Sequence, residues 1–170
     1  KTDWVEPDAK QIETHRDRIE APLHREDGPD TWEVKDHLRN LAWEKVGVIR
    51  SGQGLAEALE EFKRIRKEEL PRLHSKSKVR KYNKEWIECL QIQSILDTIE
   101  AIAASALHRK ESRGAHYRTD ASESNDAWIK NISLRRDESG IALQEHPLVI
   151  TRIQPELKPA EEELEHVRNA

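Results

Sequence analysis

The stretch from Asn83 to about Arg113 constrains this chain most. Ile87, Leu90, Ile95, Leu96, Ile99, Ile102, Ala103, Ala106 and Leu107 recur there at threes and fours and cover more than one face. Such spacing predicts a helix of about 45 Å. A helix apolar nearly all round is normally enclosed by others, so it is expected to be the central helix of a bundle. Gly114 is its expected left-handed terminator, with His108, Arg109, Lys110 and Arg113 at the negative end of its dipole.

Shorter amphipathic segments precede it. Val5, Ile12, Ile19 and Leu23 step by about seven and predict a helix from Asp8 to Ala21, interrupted by Pro22 and the turn cluster EDGPD. Thr31 is placed to cap a second helix with Val34, Leu38, Leu41 and Ala42 on one face, ended by Gly47. Ser51 caps a third, in which Leu55, Ala58, Leu59, Phe62 and Ile65 oppose a Glu/Lys face until Pro71. After Asp120 the period changes: WIKNISLRR, a DESG turn and IALQEHPLVITRI read as strands. The expected fold is mainly α, a three- to four-helix bundle with a small C-terminal β hairpin or sheet. Residues 1–120 form the bundle, 121–153 the β appendage, and 154–170, with EEELEH and two prolines, a mobile acidic tail or peripheral helix.

Charged residues make up 36% of the chain and hydrophobic ones 35%, so every element except the long helix must keep a solvated face. No run reaches the roughly 18 apolar residues of a membrane span, and no direct membrane contact is expected. The net charge of −4 gives no global pull toward nucleic acid. Cys89 is a lone cysteine, consistent with a reducing compartment, and the cytoplasm is the expected location. The chain opens on Lys1 and contains no methionine, so it is expected to be a fragment or a processed product.

HRKESRGAHYRTD, from His108 to Asp120, gathers charged and hydrogen-bonding side chains around one glycine at a helix end. Glu111 falls where the helix dipole is negative and needs a cationic partner, Arg118 or Arg109. A capping and ion-pair network holding the bundle to the segment after it is the plain reading, and direct catalysis is the sharper one. His108, Glu111 and His116 form a conceivable metal set, but Gly114 breaks the helical spacing before the third. The basic run KSKVRKYNK with Tyr82 could touch phosphates, or be a solvated loop. Cys89 reads as a buried, inert thiol, and Trp43, Trp86 and Trp128 as core or interdomain anchors.

ALHRKESRGAHYRTD, preceded by NKEWIECLQIQSILDTIEAIAASAL and followed by DAWIKN, resembles the C-terminal region of succinate dehydrogenase and fumarate reductase flavoprotein subunits. VGVIRSGQGLAEALEEF is similar to the same family's helix-turn-helix, and the resemblance covers most of residues 1 to 153. Arg109, Glu111, Ser112, Arg113, Gly114, His116, Tyr117 and Arg118 are the motif and interface candidates. The resemblance implies a parent enzyme that holds FAD covalently and exchanges a hydride with a C4 dicarboxylate. It also implies partners: the parent's flavin-binding and capping domains and an iron-sulfur subunit, on the cytoplasmic or matrix face of a membrane complex. The family's flavin-linked histidine and substrate-binding residues lie upstream and have no counterparts here. The loop TDASESNDAW is shorter than in many members, and L-aspartate oxidase and adenylylsulfate reductase share the broad architecture, so the substrate stays open.

The residues themselves agree on what is missing. GQGLAE fails the G-x-G-x-x-G pattern at its last position and lacks a preceding strand, and neither a P-loop nor a G-x-S-x-G elbow occurs. No catalytic, cofactor-binding or metal residue is therefore expected. Two roles compete: a non-catalytic domain of an FAD-dependent oxidoreductase, and a free-standing helical module that binds a protein partner.

Overall fold

The computed structural model describes residues 4–137 and 140–151. Four α-helices lead: α1 (Ala9–His24), α2 (Thr31–Leu41), α3 (Gly52–Arg64) and α4 (Lys84–His108). Two two-stranded sheets complete it. β1 (Ile49–Arg50) pairs in parallel with β2 (Tyr117–Arg118), and β3 (Lys130–Asp137) runs antiparallel to β4 (Gly140–Pro147). The mainly α bundle and the hairpin match the sequence expectation. The β1–β2 pair was not expected.

Helix starts follow local capping chemistry. Asp8 caps α1 through the Lys10 N–H, Ser51 caps α3 through the Gly54 N–H, and Asn83 caps α4 through the Trp86 N–H. At α2 the cap is Asp30, which accepts from the Trp32 and Glu33 N–H groups. Thr31, expected in that role, is the first helical residue instead. Its buried hydroxyl meets the His74 carbonyl and the Cys89 sulfur, each at 3.2 Å.

Helix ends depart further from expectation. α1 runs through Pro22, whose own carbonyl accepts from the Ser75 N–H. α2 and α3 each widen into one π-type turn, Ala42–Val46 and Ile65–Glu69; the first still ends at Gly47 as expected, and the second leads into a 3-10 turn that accommodates Pro71. α4 stops at His108, five residues before the expected end.

Val34 and Leu38 of α2, Leu55, Ala58 and Phe62 of α3, and Ile92, Leu96, Ala103 and Ala106 of α4 share one buried cluster with Cys89. α4 touches all three other helices and both hairpin strands, so it is the central element. It is not apolar all round: Ile87 and Ile102 are exposed, while Glu88 and Glu100 are buried. Those carboxylates sit inside because each meets cations, Lys35 for Glu88, and Arg66 (2.5 Å) and Arg136 (2.6 Å) for Glu100. Arg136 thereby clamps the hairpin onto α4. On α1 only Pro22 and Leu23 are buried, and Val5, Ile12 and Ile19 stay in solvent because α1 meets the bundle mainly at its C-terminal end.

No helix of the described residues is long and apolar enough to cross a membrane. The acidic segment 154–170 and two residues of the DESG turn lie outside the described residues.

Candidate functional site

The carbonyl end of α4 organises the motif. A helix end leaves carbonyls without intrahelical donors, and here a distant guanidinium supplies them. Arg118 is 3% exposed. Its Nη1 donates to the carbonyls of Ala106 (2.8 Å), Leu107 (3.2 Å) and Arg109 (3.2 Å). Its Nε and Nη2 form a two-pronged pair with Asp120 at 2.8 and 2.6 Å. That pairing holds the Asp120 carboxyl below the usual aspartate range. Asp120 also accepts from the Gly52 N–H at 3.1 Å, which ties the start of α3 to the end of α4. A Cβ at Gly52 would lie 2.7 Å from the Asp120 carboxylate and 2.8 Å from the Arg118 guanidinium, so a larger residue there has to push on that pair.

Glu111 is fully buried beyond the helix end. It accepts from Arg109 at 2.7 Å, from the Arg113 Nε and Nη2 at 3.1 and 3.0 Å, and from the Asn125 N–H at 2.8 Å. Burial alone would raise its pKa, but the Arg113, Asn125 and Arg109 hydrogen bonds outweigh burial and bring it to about 2. Its partners are therefore Arg109 and Arg113. Arg118, the other expected candidate, is committed to carbonyls and Asp120. Ser112 accepts from the Arg118 N–H at 2.9 Å and donates to the Ala121 carbonyl at 2.8 Å, closing the loop on itself.

Gly114 is left-handed, with φ +57°, yet it does not terminate α4. It sits in the tight turn closed by reciprocal Arg113 and His116 backbone bonds. The next two residues after that turn, Tyr117 and Arg118, form β2 against β1, with the Tyr117 N–H on Val48 and the Thr119 N–H on Arg50. Arg109 reaches the other way, to the carbonyls of Trp128 (2.6 Å) and Lys130 (2.7 Å) at the hairpin's start. Its guanidinium and the Lys130 ammonium both lie over the Trp128 ring.

The eight motif residues thus form one connected cluster, but the imagined metal set is taken apart. His108 pairs with Glu145 at 2.8 Å, Glu111 is saturated by arginines, and His116 contacts Arg50 at 2.6 Å. Among the described residues no group of three His, Cys, Asp or Glu side chains suits a metal ion. The start of α3 does not fit a dinucleotide phosphate, because Asp120 and Ser51 already occupy the Gly52 and Gly54 N–H groups.

Outside the motif, Cys89 is buried and burial pushes its thiol up, consistent with an inert thiol. Lys76 and Arg80 of the basic run pair with Asp30 and Glu20, and Lys78 donates to the Arg25 carbonyl, so much of that charge is locally spent. Trp43 is 84% exposed and is no core anchor, whereas Trp86 donates its indole N–H to the Ile19 carbonyl at 2.7 Å. Sequence reasoning missed Asp120 and Arg50 as members of the cluster. Asp120 follows Arg118 by two residues, a usable signal, but Arg50 is brought in only by the β1–β2 pairing.

Residues 35–164 match the family model described as fumarate reductase flavoprotein C-term. The fumarate reductase flavoprotein subunit of Haemophilus influenzae is 32% identical over 141 residues, covering 81% of this chain and 23% of that protein. The succinate dehydrogenase flavoprotein subunit of Coxiella burnetii is 34% identical over 122 residues, 69% of this chain and 21% of that one. Mycobacterium smegmatis Sdh1, solved in complex with UQ1, superposes with a TM-score of 0.82 at 21% identity, over 89% of this chain and 26% of its own, which speaks to the fold. The chain spans about a quarter or less of the curated relatives it matches. It belongs to the C-terminal domain family of fumarate reductase and succinate dehydrogenase flavoprotein subunits.

Proposed function

We propose that this chain is the non-catalytic C-terminal helical domain of an FAD-dependent oxidoreductase acting on a succinate/fumarate-type substrate, and that it docks onto the flavin-binding and capping domains of its parent chain. One observation carries the reading. The motif's charged residues satisfy one another internally, while the segment they are stitched to leaves Trp43, Val48 and Ile49 in solvent, 59–84% exposed, beside the motif's own half-exposed Tyr117. A chain that closes its polar groups yet presents large apolar side chains on one segment is suited to being covered. In this role Glu111, Ser112 and Arg118 fix the shape of the motif, and Arg113, His116 and Tyr117 stand nearer the covered face. Residues 1–120 supply the bundle and 121–153 the appendage. An iron-sulfur subunit on the cytoplasmic face of a membrane complex is the further partner that the family membership favours.

The test is spectroscopic. The purified chain is expected to show no flavin absorption band and no succinate-dependent dye reduction, whereas the intact parent shows both. Stoichiometric FAD on the isolated chain would overturn the proposal. So would a parent gene lacking a flavin-binding region, which would leave the chain a free-standing interaction module.

A further inference from the structure

Arg50 breaks the pattern set by the other arginines of the site. Arg109 and Arg113 face Glu111, and Arg118 faces Asp120. Arg50 is half-buried, and no carboxylate of the described residues pairs with it. Its Nε is spent on the Gly47 and Val46 carbonyls, and its Nη1 donates to His116 Nδ1 at 2.6 Å. Burial pulls its pKa down with no neighbouring anion to offset the effect. Because a guanidinium cannot accept, His116 Nδ1 must be the unprotonated nitrogen, and Nε2 carries the proton toward the Arg109 carbonyl at 3.4 Å. The imidazole is neutral in this arrangement, and burial followed by the Arg50, Arg118 and Arg109 charges opposes its protonation. Arg50, His116 and Arg109, the last already paired with Glu111, form part of the wall of a cleft of about 370 Å³, also lined by Ile102, Ser105 and Leu134. It is a largely apolar slot with one uncompensated cation.

We infer that this slot receives an aspartate or glutamate side chain from the flavin-binding part of the parent chain, bound through the open edge of the Arg50 guanidinium beside His116. The inference rests on the docking reading above and adds the chemistry of the contact. A half-buried cation without an anionic partner is costly in the isolated chain, and an entering carboxylate removes that cost while the apolar lining takes its methylenes. Desolvated pairs of this kind fix register between surfaces, and truncating one partner is commonly worth tenfold or more.

The experiment uses the full parent and this 170-residue chain side by side. Arg50→Glu in the parent is expected to slow covalent flavin attachment about tenfold or more. One acidic-to-lysine substitution in the flavin-binding part should restore attachment. In the isolated chain Arg50→Glu and Arg50→Gln are expected to keep the wild-type helical circular dichroism, so the parent's defect is one of docking. If Arg50→Glu misfolds the isolated chain, Arg50→Gln in the parent carries the test with the same expected slowing. Wild-type covalent flavin attachment in the folded parent variant would overturn the inference and leave the docking proposal standing, as would failure of every acidic-site reversal to rescue. Saturable shifts of the His116 resonances on adding acetate or succinate at micromolar concentration would also overturn it, by assigning the slot to a small carboxylate. A parent without flavin would remove both readings together.

Discussion

Replacing Glu111 by glutamine removes one charge and almost no volume, so it reads the ion-pair network with little change in packing. The wild-type carboxylate is fully buried and held at about 2 against an ordinary 4.5. Through linkage that difference is worth about 3 kcal/mol at neutral pH. The amide would also turn N–H donors toward Arg109 or Arg113, which independently sets a loss of about 3–5 kcal/mol for breaking a buried pair. For a chain of this size about 3 kcal/mol lowers the melting midpoint by roughly 6–12 °C. The group's pKa is depressed on folding, so its stabilisation is present above about 4.5 and is lost as pH falls toward about 2. At pH 3 about 2 of the 3 kcal/mol should already be gone from the wild type, and the gap to Glu111→Gln should shrink accordingly. Urea unfolding followed by circular dichroism at pH 7 and pH 3 measures both gaps. A gap below about 1 kcal/mol at pH 7, or one equal at the two pH values, would refute the assignment of a buried, ionised Glu111.

The same geometry sets three further outcomes. Arg118→Ala should destabilise the isolated chain and the parent alike by about 2–4 kcal/mol, because its partners Ala106, Leu107, Arg109 and Asp120 all lie within this chain, and paired thermal melts check this. Gly114→Val should cost about 1–2 kcal/mol through its positive φ although open space surrounds it, whereas Gly52→Ala should disturb the Arg118–Asp120 pair by contact; equilibrium unfolding of both variants, with the backbone N–H resonance at position 52 as reporter, separates the two causes. Cys89 should react with an aromatic disulfide reagent only as fast as the chain opens, and rapid labelling of the native state would contradict its burial.

Legibility in the sequence tracks the range of the interactions involved. Ser51 acts on an N–H group three residues away, and the α3 face repeats within one helix, so both were legible. The end of α4 was not. Arg109 to Arg113 continue a helical-looking polar run, and what stops the helix is Arg118, which folds back onto the carbonyls of Ala106 and Leu107 from β2. The burial of Glu88 and Glu100 depends on Lys35, Arg66 and Arg136, cations from other elements that no local pattern announces. Within the motif, Glu111 was recognisable as a carboxylate in need of cations, but the choice between Arg109 and Arg118 depended on the chain reversal at Gly114. Arg50 entered the site only because Ile49 and Arg50 pair with Tyr117 and Arg118 across the sequence.

Sedimentation of this chain with the separately expressed flavin-binding remainder of its parent tests the central claim most directly. A one-to-one complex is expected at micromolar concentrations, with the flavin absorbance moving in the complex boundary. Independent boundaries for the two pieces at tens of micromolar would contradict it.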